Sequence, residues 1–313
     1  MEFAVNLPIF GEDPDPVIET AVLAEDLGFD AVWMGDHIVQ PIEVNSIYPY
    51  SGQNQRGIGD MPAYLDVFVG MTAVAMKTTR IRIGTSVLIV PYRNPLHTAK
   101  LLASVDVFSR GRLDVGVGIG WQAEEFEALG VPFAERGPRT DEYLRIYRKV
   151  WTEEPVSHEG RFYRFAPLSF LPKPVQKPGP PIWIGGNSEA ALRRAVALGD
   201  CWQPINLSFE QMAAAQTRLR ELCAERGRPF EDLRVALNRG VLLTDEDRQP
   251  RPPDPERPYA PFIGSPRQFI EEGRRYRDMG IVQIHCHFVA RDVEGRHAVM
   301  RRFAEQVRPR VDA

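Results

Sequence analysis

The sequence predicts an α/β fold, a (β/α)8 TIM barrel with insertions, as a single domain over residues 1–313. Three observations predict it. Short apolar segments alternate with stretches of 3.6-residue helical period along the chain. The alternation runs through eight strand–helix cycles, which favours a closed barrel over an open sheet. No repeat period and no interdomain linker interrupts it.

Residues 3–9 read as the first strand. Val17, Ala21, Ala24 and Gly28 then share a helical face, and Gly28 supplies the stop. Residues 30–35 are short and apolar, as in a strand buried on both faces. A helix is expected over 64–78 and a third strand over 81–89. Asn94 and Pro95 provide the cap and first turn of a helix to residue 108, with Leu101, Val105 and Phe108 facing inward. The fourth strand is 113–119, followed by helices at 124–129 and 139–151.

Alternation about Gly160 within 156–171 breaks this rhythm and predicts an inserted hairpin. Pro172, Pro174, Pro178, Pro180 and Pro181 mark an extended connection after it. Strands five to eight are expected at 182–184, 201–205, 234–243 and 281–289. Helices are expected at 188–198, 209–225 and 266–279, with a last one ending near 307. The insertions thus fall at about 38–62, 153–180 and 246–263. Within the last, the Pro- and Arg-rich residues 249–261 read as a surface loop or an active-site lid.

Composition narrows the function. A formal net charge of −4 with no basic stripe argues for a small-molecule substrate and against nucleic acid. Met1–Asn6 shows no basic segment before an apolar one, so no signal peptide is expected. No apolar run approaches the ~20 residues a membrane helix needs. Cys201, Cys223 and Cys286 are scattered, which suits a reducing cytoplasm better than a disulfide framework.

In such barrels, reactive groups stand at the carboxyl ends of the strands. That rule selects residues 6–10, Asp36 and His37, residues 86–90, Gly118 to Trp121, Gly185 to Ser188, and His285 with His287. Gly185 and Gly186 permit close backbone approach, and Asn187 or Ser188 can cap the following helix. Such a turn suits a phosphate, and equally an ordinary helix start. Gly116, Gly118 and Gly120 alternate, and Trp121 stands where a dinucleotide motif needs glycine. Alternate glycines mean instead that something bulky packs on the strand. Glu124 and Glu125 read as helix-start acids near the positive dipole end, and Trp121 as an indole against a planar ring. His285 and His287 share one strand face, but two ligands do not make a site, so no metal is expected.

Several of these segments together resemble the luciferase-like monooxygenase superfamily, and most closely its coenzyme F420-dependent branch. They are residues 28–37 (GFDAVWMGDH), 83–87 (IGTSV), Asn94-Pro95, 109–121 (SRGRLDVGVGIGW), 181–187 (PIWIGGN) and 264–266 (GSP). They occur in family order over nearly the whole chain.

The resemblance implies a ring system at the barrel mouth and a non-proline cis peptide at Ser86-Val87. It implies that Asp36, Ser86, Val87, Ile89, Ile119, Gly120 and Trp121 line the ring pocket. Gly185, Gly186, Asn187 and Ser188 would hold a phosphate. His37 would be the proton donor or acceptor in hydride transfer between the deazaflavin and a small organic substrate. The alternative is an FMN-dependent monooxygenase that uses reduced flavin and oxygen. A third reading is a non-enzymatic barrel indifferent to His37. The resemblance also implies a homodimer.

The chain departs from the sugar-phosphate dehydrogenases of that branch. Trp121 stands in place of an acid, and Val39, Gln40 and Pro41 replace a tryptophan region. A sugar phosphate is therefore not the expected substrate, and residues 40–60 are expected to shape the pocket.

Overall fold

The computed structural model describes residues 1–9, 11–50, 63–249 and 261–312. The first half contains β1 (Glu2–Asn6), α1 (Asp15–Asp26), β2 (Ala31–Met34), α2 (Val67–Lys77), β3 (Arg82–Thr85), β4 (Leu88–Ile89), α3 (Pro95–Phe108) and β5 (Leu113–Gly118). Next come α4 (Ala123–Ala128), α5 (Arg136–Thr152) and the antiparallel pair β6 (Val156–Glu159) and β7 (Arg164–Leu168). The second half contains β8 (Ile182–Gly185), α6 (Glu189–Leu198), β9 (Cys201–Gln203), α7 (Phe209–Arg226) and β10 (Arg234–Leu243). It ends with β11 (Phe262–Gly264), α8 (Pro266–Asp278), β12 (Gln283–Phe288), α9 (Val293–Gln306) and α10 (Arg308–Val311).

Eight parallel strands close among the described residues, in the order β1, β2, β3, β5, β8, β9, β10, β12 and back to β1. This is the predicted (β/α)8 barrel. The inserted hairpin is present, and its turn hangs from Glu142, which accepts from the backbone N–H of Arg161, Phe162 and Tyr163. Phe10, residues 51–60 of the expected pocket-shaping segment, and residues 250–260 of the candidate lid lie outside the described residues. In the insertion at 246–263, β11 adds a short strand outside the barrel, paired with β10.

Some elements differ from the expected ones for local reasons. The third strand stops at Thr85 and resumes at Leu88, with a cis Ser86-Val87 peptide between. Helix α2 starts three residues late because Asp66 caps it, accepting from the N–H groups of Phe68 and Val69. Helix α5 starts three residues early, because a proline such as Pro138 is tolerated in a first turn. In α3 the inward stripe runs through Leu102, Val105 and Asp106, so Phe108 points to solvent and Leu101 is only partly covered.

The barrel interior is filled by two large rings and several small residues. Trp33 and Trp183 meet edge to face, centroids 5.0 Å apart, among Ala4, Ala31, Cys201 and Ala236. Neutral His285 stacks on Trp33 at 4.1 Å, its pKa pressed well below the ordinary range by burial. A Cβ on Gly84 would lie 2.4 Å from the Trp33 ring, so only glycine leaves the indole its place.

The amino-terminal end of the barrel is closed by polar contacts. Arg82 pairs with buried Asp114 at 2.6 Å, and Gln283 links Trp33 to Glu2. Arg112, from the SRGRLD segment, donates to the carbonyls of Ala75, Thr78, Ile81 and Ser109. That motif is a structural staple between α2 and α3. Above this plugged floor, the barrel's cavity opens at the carboxyl ends of the strands.

The alternate glycines of β5 answer to a specific neighbour. A Cβ on Gly116 would lie 1.9 Å from the Thr85 carbonyl oxygen, and one on Gly118 would lie 2.5 Å from Val87. The backbone at Thr85 cannot yield like a flexible side chain. Gly116→Ala is therefore expected to destabilise the fold by about 1–3 kcal/mol. Denaturant unfolding measures this, and an unchanged midpoint would contradict the packing described.

Candidate active site

The carboxyl ends of the strands surround a cavity of about 1030 Å³. The residues that the resemblance assigned to ring, phosphate and proton transfer all border it: Asp36, His37, Ser86, Val87, Ile89, Ile119, Gly120, Trp121, Gly185, Gly186, Asn187 and Ser188. Their roles within it differ, and several partners come from elsewhere in the chain.

His37 leaves β2 three residues past its end. Its Nδ1–H donates to Glu125 Oε2 at 2.6 Å, which leaves Nε2 as the ring nitrogen for proton exchange. The Glu125 side chain is fully buried. Its Oε1 accepts from the N–H of Ile38 (2.8 Å) and Val39 (3.3 Å), and its Oε2 also accepts from the Tyr92 hydroxyl (2.8 Å). Burial pushes the Glu125 carboxyl up, but the His37 contact, the Ile38 amide and the Tyr92 hydroxyl outweigh it and hold it below its usual range. Glu125 is thus an ionised carboxylate that fixes the imidazole's orientation and tautomer.

Glu124 grips the same loop further on, accepting from the N–H of Asn45 (2.7 Å) and Ser46 (2.9 Å). Both acids stand in the first turn of α4, as expected, and both also anchor the loop after β2. An acid at a helix start looks the same in sequence whether it serves the helix or a distant loop.

The Asp36 carboxylate is engaged by protein partners. It receives both Nη atoms of Arg93, at 2.6 and 2.7 Å, and the Ile89 N–H at 3.0 Å. In this way it fixes the segment after the Ser86-Val87 bulge. Asn238 Nδ2 donates to Ser86 Oγ at 3.1 Å from across the barrel. Val87 packs against both Gly118 and Gly185, where a Cβ would come within 2.5 and 2.8 Å of it. Gly120, at φ +79°, bends the chain off β5 beside Ile89.

At the other end of the cavity, Gly186 takes φ +115°, and its carbonyl oxygen accepts from Trp202 Nε1–H. Ser188 caps α6 by accepting from Ala191 N–H. Asn187 does not cap. Its side-chain amide makes both hydrogen bonds with the Ile205 backbone, at 2.9 and 3.0 Å, tying the β8 turn to the chain beyond β9. Arg136 and Arg194 border this end, linked through Gly137, whose carbonyl accepts from Arg194 Nη2. Arg194 also pairs with Asp141.

Among the described residues, three buried polar atoms of cavity-lining residues lack a partner: Arg136 Nε, Asn6 Oδ1 and Gln203 Oε1. Unpaired buried polar atoms are costly, so a polar ligand that engages them fits this cavity. His287 faces the cavity near Asn6 and packs among protein atoms that, with Arg296, lower its pKa. His285 lies in the core below, so the two do not act together. Sequence reasoning missed the roles of Glu125, Tyr92, Arg93, Arg136 and Arg194, because they reach the site from α4, the segment before α3, α5 and α6.

The model of the family described as luciferase-like monooxygenase matches residues 1–276. An uncharacterized protein of Mycobacterium tuberculosis is 35% identical over 223 residues, covering 71% of this chain and 76% of that one. The FMNH(2)-dependent dimethylsulfone monooxygenase of Pseudomonas putida is 32% identical over 182 residues, 57% of this chain and 49% of that protein. The structure of an F420-dependent secondary alcohol dehydrogenase, bound to an F420–acetone adduct, superposes with a TM-score of 0.79 at 18% identity. It covers 99% of this chain and 98% of that chain. No helix among the described residues is long and apolar enough to cross a membrane.

Because its folded-state pKa is lowered, Glu125 contributes stability that is full above its unfolded value, near 4.3. That contribution is lost as pH falls through the lower folded value. Hydrogen-exchange protection of the Ile38 and Val39 amides is therefore expected to persist at pH 4.5 and to fall only in stronger acid. In Glu125→Ala both amides should exchange at least tenfold faster at pH 7. Equal protection in the variant would show that the carboxylate does not hold the loop.

Proposed function

This chain belongs to the luciferase-like monooxygenase family, and from that premise we propose that it is a coenzyme F420-dependent oxidoreductase acting on a small hydroxyl or carbonyl compound. One observation carries the reading: His37 borders the cavity with Nδ1 held by a buried, ionised Glu125.

The cavity's residues suit the cofactor. The Val87 bulge, supported by Gly118 and Gly185, offers an apolar face for a planar ring. Gly186, Ser188 and Arg136 would receive a phosphate at the start of α6, where backbone N–H groups and the helix dipole favour an anion. When bound, F420 supplies two-electron hydride chemistry.

The protein's own part is proton handling. Nε2 of His37 takes the proton from a substrate hydroxyl as the hydride leaves the adjoining carbon, or returns it in the reverse direction. Glu125 stabilises the imidazolium so formed by its negative charge 2.6 Å from Nδ1. Tyr92 and the Ile38 and Val39 amides keep that charge in place without neutralising it.

FMN-dependent oxygenation is the second reading, favoured by the identity to the dimethylsulfone monooxygenase. Anaerobic titration with F420 and with FMN separates the two. The F420 reading predicts F420 binding and alcohol-driven F420 reduction without oxygen uptake. His37→Ala should then slow turnover by about 10²–10⁴-fold with the cofactor dissociation constant unchanged. Tight FMN binding, no F420 binding and oxygen consumption with reduced flavin would overturn it in favour of the second reading.

A further inference from the structure

The cavity has a second wall that proton transfer leaves unexplained. Trp121 lies edge to face with Tyr48 at 5.2 Å, and Tyr48 with Tyr50 at 5.4 Å, each pair at an interplanar angle of 73°. All three border the cavity that holds His37. Tyr64 continues the wall, with its ring 5.3 Å from His37. Burial and the nearby carboxylates of Asp36 and Glu125 raise its pKa.

This wall is held in place. Glu124 grips the N–H groups of Asn45 and Ser46, and the Ala123 N–H donates to Ser46 Oγ at 3.0 Å. The loop that carries Tyr48 is thus stapled to the helix that follows Trp121. Rings fixed before a ligand arrives need not be ordered by it, so their contact surface converts more fully into affinity.

We propose that Trp121 and Tyr48 form a substrate shelf that selects a flat, apolar, uncharged alcohol or ketone, such as an aryl compound, with its oxygen directed to His37. This rests on the reading of His37 as the proton-transfer residue. The cavity volume, about 1030 Å³, is at the upper limit of ordinary ligand sites, roughly 300–1,000 Å³, so a cofactor ring and a second ring fit together. Rings in mutual contact at just over 5 Å leave no space between them to enclose an ammonium group, which argues against a cation cage.

The chain carries its own reporter. Of its five tryptophans, Trp33, Trp151, Trp183 and Trp202 are at most 1% exposed, and only Trp121 is half-buried at the cavity. Tryptophan fluorescence of the full chain, titrated with acetophenone, acetone, benzoate and tetramethylammonium, reads the shelf without turnover. Acetophenone is expected to give a saturable change and to bind at least tenfold more tightly than each of the others. Calorimetry should find the same preference with F420 or FMN saturating, when the ring wall is already filled. Trp121→Ala and Tyr48→Leu should each weaken acetophenone by about tenfold, and Trp121→Phe should largely restore it.

Equal affinity for acetone, tighter binding of tetramethylammonium, loss of acetophenone when cofactor is present, or full affinity in Trp121→Ala would each overturn the shelf. Selective binding without alcohol oxidation would support the shelf while counting against the redox reading, so the two fail separately.

Discussion

A carboxylate with no solvent contact at all must be fully partnered, and the site is organised around the way Glu125 meets that requirement. An unpaired buried charge would cost many kcal/mol or would be neutralised by a proton. Glu125 avoids both with four donors: the His37 imidazole, two successive backbone amides after it, and the Tyr92 hydroxyl. Three of these lie on the segment leaving β2, and the fourth lies just before α3. A single charge therefore fixes the His37 ring, the start of the pocket loop and the turn before α3. Moving any of them exposes the others to the cost of an unsatisfied partner.

The fold determines where this can happen. Trp33 and Trp183 fill the barrel, and the Arg82–Asp114 pair helps close the end beneath them. The barrel's own cavity thereby sits at the strand tips. There the segment after β3 swings inward, and its Val87 side chain settles onto Gly118 and Gly185. Asp36 and Arg93 brace that bulge from behind. Two neighbouring residues past β2 thus do different work. Asp36 shapes the wall, while His37 borders the cavity.

Much of this was legible in the sequence, since period and glycine placement are local signals. The eight strands, the hairpin about Gly160 and the meaning of the alternate glycines all followed from them. What stayed hidden depends on pairing across long stretches of chain. Glu125 is 88 residues from His37, and nothing in its neighbourhood distinguishes a buried anchor from a helix-start acid. Asn187 and Ser188 were interchangeable as caps until the structure gave Asn187 the Ile205 backbone instead. Phe108 looked inward by period, yet the one-residue phase of α3 sends it to solvent. Arg136 lies before the helix expected from residue 139, whereas α5 starts at Arg136 and runs through Gly137 and Pro138.

The whole site turns on ionised Glu125 holding a proton on Nδ1 of His37 and leaving Nε2 toward the cavity. Nitrogen-15 NMR of the histidine ring reports that tautomer directly. The account predicts the Nδ1–H form in the intact protein, with the preference lost in Glu125→Gln. A neutral His37 carrying its proton on Nε2, or one whose tautomer ignores the Glu125 substitution, would contradict it.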